Sequence, residues 1–174
     1  ITTLAILLIS VFLFTEGWGL FGSSTIEKGY VLCVNQGNKV EKLSPKQVKE
    51  IYDGNITNWK QVGGANAPIE ILRMDDIASL YTEEEIGANF EHLPAKLSQA
   101  MAERRNAIGF FPQQFIGKDF KGRVLPPETI SPSEYFGGKE WLPTATPAAQ
   151  FGVLPLILGT LWVSIGAILL ALPF

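Results

Sequence analysis

Hydrophobic positions along this chain fall into two patterns. At the ends they run without interruption: "ITTLAILLISVFLFT" opens the chain, "FGVLPLILGTLWVSIGAILLALPF" closes it, and neither stretch carries a charge. Between them the apolar residues come in short groups separated by Gly, Asn, Pro and charged residues, the pattern of a domain folded in water. Apart from Glu16, every charge lies between Glu27 and Glu140.

The middle pattern predicts alternating strands and helices. "GYVLCVN" (Gly29–Asn35) is β-branched, apolar and bounded by Gly and Asn, and reads as a buried strand. "LSPKQVKEIYDG" predicts a helix with Ser44 as N-cap, Pro45 in the first turn and Gly54 at its end. Val48, Ile51 and Tyr52 share one face of it at helical spacing. "PIEILRM" and "AIGFF" read as two further strands. "HLPAKLSQAMAERRN" predicts a second helix, with Leu97, Met101 and Ala102 inward and Arg104–Arg105 near its C-terminus, where cations suit the helix dipole. Strands separated by helices imply a small α/β domain with a largely parallel sheet. Lys118–Thr146, rich in proline, reads as an extended return.

The uninterrupted ends have a different meaning. A helix needs about 20 apolar residues to cross a bilayer, and Phe151–Phe174 supplies 24 without a charge. Ile1–Thr15 is shorter, lacks the basic start and small-residue cleavage site of a secretory signal, and reads as the second half of a membrane helix. "EGWGLFG" (Glu16–Gly22) is its interfacial exit, with Trp18 suited to the headgroup level. The expected organisation is a truncated transmembrane helix with its exit over 1–22, an extracytoplasmic α/β lobe over 23–125, an extended Pro-rich linker over 126–148, and a second transmembrane helix over 149–174. The cell (inner) membrane is the expected location, with residues 23–148 outside the cytoplasm.

Charge and rare residues narrow the chemistry. A net charge of −3 offers no basic field for nucleic acid. One cysteine, Cys33, and one histidine, His92, exclude an internal disulfide, a cysteine-based zinc cluster and a two-His metal site. Cys33 reads as a small core residue and His92 as a surface or helix-entry residue. With no nucleophile–base pair and no phosphate loop, an enzyme is not expected, nor is a cofactor.

Two resemblances give the pattern a function. "LSPKQVKEIYDGNITNWKQVGG", "PIEILRMDD" and "AIGFF" together resemble one lobe of the periplasmic phosphate-binding proteins, the type 2 solute-binding fold, over roughly Tyr30–Phe111. "FGGKEWLPTATPAAQFGVLPLILGT" resembles the permease subunit of bacterial phosphate ABC transporters, with Phe136, Trp141, Pro143, Gln150, Phe151, Gly152, Leu154, Pro155, Gly159 and Thr160 matching. The second resemblance implies a membrane subunit of a phosphate importer, with the lobe inserted between two helices for docking or sensing. It implies a second permease subunit, cytoplasmic ATPase subunits and a phosphate-binding protein as partners, in contact with membrane lipid. The alternative is a membrane-anchored anion-binding or sensory module that transports nothing.

The first resemblance also places a ligand site. Phosphate binders of this kind use R-x-D/E-G-S-G-T beside a helix N-terminus, whose N–H groups and hydroxyls hold the dianion. Here the stretch is Arg73-Met74-Asp75-Asp76-Ile77-Ala78-Ser79. Arg73, Asp75 and Ser79 are the candidate ligand-binding residues. Ile77 removes a hydroxyl, and Asp76 adds a negative charge, which at 4 Å costs about 4 kcal/mol per unit charge at an effective dielectric of about 20. Three readings stay open: a relic Arg73–Asp75 pair holding a loop, a weak anion site, or a protein contact. The acids of "TEEEIGANFE" read as a solvated helix face or as a docking patch for a basic partner.

Overall fold

The computed structural model describes residues 2–172; Ile1 and the last two residues of the expected membrane segments lie outside them. The elements run α1 (Thr2–Trp18), β1 (Tyr30–Asn35), α2 (Pro45–Tyr52), β2 (Glu70–Leu72), α3 (Met74–Leu80), α4 (Glu83–Ile86), α5 (Leu93–Glu103), β3 (Ala107–Pro112), β4 (Gly122–Leu125), α6 (Pro132–Gly137), β5 (Trp141–Leu142), β6 (Gln150–Phe151) and α7 (Leu154–Ala171). They divide into an α/β unit, residues 26–128 with 145–148, and a helical unit, residues 1–25, 129–144 and 149–174.

In the α/β unit the sheet order is β2-β3-β1-β4. β2 runs parallel to β3, joined by the helical crossover that parallel pairing requires. β1 lies antiparallel to both β3 and β4. The sheet is therefore mixed and mostly antiparallel, not largely parallel as expected. Periodicity identifies a strand but carries no direction, and β1 does not pair with β2, the next strand in sequence. β4 lies within the stretch read as extended return and adds to the free edge of β1.

Alternation along β1 and β3 builds a core on each face. Leu32, Val34 and Ile108 join Val48, Ile51 and Trp59 on one side. Cys33, Ala107 and Phe111 join Ile77, Leu97, Ala100 and Met101 on the other. Helix α2 begins as expected: Ser44 Oγ accepts the Gln47 N–H at 3.2 Å, and Gln47 Oε1 accepts the Ser44 N–H at 2.9 Å. Gly54 takes φ +80° just beyond the helix, a conformation open to glycine. In α5 the third inward residue is Ala100, not Ala102, which is exposed. At 100° per residue Ala100 lies about 60° from Leu97 and Ala102 about 140°. His92 is exposed at the N-cap of α5. Asn35, though buried, is satisfied: its amide donates to the Met101 carbonyl at 2.6 Å and its oxygen accepts the Gly37 N–H at 2.8 Å.

In the helical unit, α7 has 18 residues and is long and apolar enough to cross a membrane; none of its side chains is buried. The apolar stretch of α1 is shorter than that measure. Backbone bonds tie together the segments flanking these helices. Gly22 N–H donates to Ile130 O, Ile130 N–H to Ser23 O, Ala149 N–H to Thr25 O and Val153 N–H to Tyr135 O. β5 and β6 pair antiparallel, Trp141 opposite Phe151. Gly138 and Gly152 touch through their backbones, and a Cβ at Gly152 would lie 2.3 Å from the Gly138 carbonyl carbon. The stretch read as extended linker holds α6 as well as β5. Ser131 caps α6 by accepting the Glu134 N–H at 3.2 Å, and Pro132 follows in its first turn.

Candidate functional site

The stretch Arg73–Ser79 begins where β2 ends. Arg73 is the extended N-cap residue of α3, and Asp75 and Asp76 stand in the first turn. The carboxylate of Asp76 accepts the Arg73 backbone N–H at 2.7 Å, so this acid closes the helix start. Arg73, Asp75 and Ser79 are all exposed, while Ile77 is fully buried. Ser79 lies near the end of the helix, about 9 Å along the axis from Arg73 at about 1.5 Å per residue. Its hydroxyl donates to the Asp76 carbonyl at 2.8 Å.

Arg73 caps this short helix, and Asp75 and Ser79 stand on it four residues apart, with all three exposed. A dianion cradle needs hydroxyls and unpaired N–H groups at a helix N-terminus. Here the helix starts at Met74, ahead of the positions aligned with those hydroxyls, and Ser79 falls in the last turn. Ile77 does more than omit a hydroxyl, because its side chain belongs to the core. Arg73 and Asp75, expected as a pair holding the loop, are both exposed, and the contact shown at this turn is the Asp76 carboxylate on the Arg73 backbone N–H.

Two features of the α/β unit were not legible in advance. The Tyr52 hydroxyl is buried without a hydrogen-bond partner. Burial first, then the Cys33 charge, push its pKa above the usual tyrosine range, and the Arg73 cation opposes them. The phosphate-binder pattern allows Phe or Tyr at this position and so does not mark the hydroxyl. The second feature is a pocket of about 420 Å³ lined by Asn35, Asn38, Lys39, Trp59, Arg105 and Asn106, among others. Asn106 precedes β3, whose first residue pairs with the first of β2, whereas Arg73 follows the end of β2. The pocket thus lies at the opposite end of the strands from the candidate site.

The acid-rich segment resolves into local roles. Thr82 and Glu85 cap α4 reciprocally, with Thr82 N–H donating to Glu85 Oε2 at 3.0 Å. Lys96 pairs with Glu85 at 3.1 Å and lies 4.5 Å from the centre of the Tyr81 ring. The Thr82 backbone bond and the Lys96 bond hold the Glu85 carboxyl below the usual carboxylate range. Glu83 and Glu84 are exposed.

A PBP superfamily domain matches residues 15–117, more than half of the chain. The chain belongs to the PBP superfamily. Two solved structures similar to it are an ABC-type phosphate transport receptor from Vibrio cholerae (19% identity, 65% of this chain and 52% of that one, TM-score 0.43) and PstS from Borrelia burgdorferi (16% identity, 64% and 52%, TM-score 0.44). This PBP superfamily chain spans about half the length of those structures.

Proposed function

We propose that this PBP superfamily chain is part of the membrane subunit of an ABC importer for inorganic phosphate, with the α/β unit on the extracytoplasmic side. The unit docks or senses rather than captures the anion. The single observation that carries the transporter part is α7: 18 uncharged, unburied residues entered through Gln150-Phe151-Gly152-Val153-Leu154-Pro155, the segment that resembles the phosphate permeases. The docking part is supported by the start of α3, where the Asp76 carboxylate takes up the Arg73 backbone N–H and Ile77 is committed to the core. The phosphate context draws on the sequence pattern of Tyr30–Phe111. A second permease subunit, cytoplasmic ATPase subunits and a separate phosphate-binding protein are the partners of this reading, and α1 with α7 are its membrane helices.

Topology tests it. Burial pushes the native Cys33 thiol up to about 12, so it stays neutral and shielded at pH 7. An engineered Lys60→Cys, at an exposed position, then reports alone. A membrane-impermeant maleimide should label it in intact spheroplasts, and the ATPase subunit should copurify with the protein in mild detergent. Labelling from the cytoplasmic side only would contradict the proposal. A second reading, an anion-binding module that transports nothing, draws on Lys39 and Arg105, two cations lining one pocket. Copurification without any ATPase would favour it.

A further inference from the structure

The helical unit holds a continuous network of seven aromatic rings. Phe14 lies 5.6 Å from Trp18, Trp18 5.6 Å from Phe21, and Phe21 5.3 Å from Tyr135. Tyr135 is the hub, with Phe136 at 5.2 Å and Trp141 at 6.4 Å; Trp141 in turn lies 5.8 Å from Phe151. All but the Phe14–Trp18 pair meet edge to face, the favoured geometry for aromatic rings. The network joins the C-terminal end of α1 to α6, β5 and β6, the segments that lead into α7.

An aromatic cluster in a water-folded domain is expected to be covered. Here Trp18 is 60% exposed, Phe136 58% and Trp141 39%. In sequence, charges are interspersed with the rings: Glu16 lies two residues before Trp18, and Glu134, Lys139 and Glu140 lie among Tyr135, Phe136 and Trp141. On the α7 side the chain carries no charge from Trp141 onward. Large rings mixed with charges, at the start of a long uncharged helix, match the layer between lipid headgroups and acyl chains. There a ring can bury its face while its polar edge and neighbouring charges stay wet.

We infer that this network is an interfacial collar: Trp18, Phe136 and Trp141 insert at the headgroup–acyl boundary of the bilayer, and Tyr135 locks them into one unit. The inference rests on the reading of α7 as a membrane-spanning helix and goes beyond it. It assigns α6 and the β5–β6 pair, which that reading leaves as a connecting segment, to the membrane surface. Helix α7 then starts at the boundary, and Trp162 lies about 12 Å further in, at about 1.5 Å per residue, near the middle of a hydrocarbon core about 30 Å thick.

The four tryptophans of the chain make this measurable, because they fall at three expected levels. Trp59 is 2% exposed inside the α/β unit. It is kept in every variant as an internal standard, while two or three of Trp18, Trp141 and Trp162 are changed to Phe. Phe preserves a ring in the network. The full chain is placed in phosphatidylcholine–phosphatidylglycerol vesicles whose lipids are brominated near the headgroup or near the chain end. Trp18 and Trp141 should lose more emission to the shallow bromines than to the deep ones, Trp162 the reverse, and Trp59 little to either. Deep quenching of Trp162 with no lipid quenching of Trp18 and Trp141 would overturn the collar and leave the membrane helix standing. Quenching of Trp18 and Trp141 mainly by the deep bromines would also overturn it. Absence of lipid quenching at Trp162 would remove the membrane helix and the collar together.

Discussion

In the α/β unit Trp59 is 2% exposed and donates its indole N–H to the Asn106 carbonyl at 2.9 Å; in the helical unit Trp162 is 71% exposed. The same contrast holds for the aliphatic residues. Leu97, Ile108 and Ile77 are fully buried, whereas Leu158, Leu161 and Ile168 of α7 are exposed by 44%, 52% and 58%. Apolar surface in water costs about 25 cal/mol per Å², and that cost is what the proposed membrane setting of α7 would remove. Charges follow a similar division: α7 carries none, and the helical unit holds Glu16, Glu134, Lys139 and Glu140, while the rest lie in the α/β unit. Burial inside the chain covers the apolar residues of one unit, while α7 of the other leaves most of its own exposed, as the proposed membrane helix would.

The largest effects should break this contrast at its core. Trp59→Ala should destabilise the α/β unit by about 3–5 kcal/mol, while Trp162→Ala should leave that unit's stability unchanged. Cys33, fully buried and neutral, provides the readout: its alkylation rate in increasing urea follows the opening of the unit. Next, Ile77→Ser restores the residue type that phosphate binders carry at this position. Because Ile77 is core, the change should cost about 2–5 kcal/mol and should create no phosphate site, which equilibrium dialysis with labelled phosphate would check.

Glycines sharpen the comparison within the helical unit. Gly152→Ala should cost about 1–3 kcal/mol, since the added Cβ meets backbone of Gly138 that cannot swing away. Gly159→Ala meets nothing within 4 Å and should be neutral or stabilise α7 by up to about 1 kcal/mol. Thermal stability in detergent separates the two. Ser44→Ala, which removes the cap of α2, should cost about 1 kcal/mol.

The smallest effect is a pH response. The Glu85 carboxyl is held below its ordinary value when folded, so the stability it contributes is present above its unfolded value. That contribution fades as pH falls through the lowered folded value. Because Glu85 is exposed, the effect should stay local. Protection factors of the α4 amides, corrected for the intrinsic pH dependence of exchange, should fall on acidification in the wild type, and Glu85→Gln should flatten that fall.

Local rules made much of the α/β unit readable from sequence. The Ser44–Gln47 capping box, Pro45 and Gly54 act over a few residues, and Cys33 and Trp59 sit in patterns that bury them. Strand direction was not readable, because pairing β1 with β3 and β4 joins residues far apart in sequence. The start of α3 depends on Asp76 reaching back to Arg73, a local contact that the likeness to a phosphate cradle concealed. The cap and proline of α6, Ser131-Pro132, were present but hidden among other prolines. The aromatic network was out of reach because Phe21, Tyr135 and Phe151 meet only after the chain has folded.

The central claim is that the α/β unit does not capture phosphate itself, and calorimetric titration of the purified chain with inorganic phosphate tests it most directly. Each charge-assisted hydrogen bond missing from a cradle costs about 1.5–3 kcal/mol. Two missing bonds weaken binding by a factor on the order of 100 or more. The account predicts no saturable heat at micromolar phosphate and no change when Arg73 is replaced by Ala. A dissociation constant at or below the micromolar range, lost in Arg73→Ala, would contradict it and make the unit a receptor.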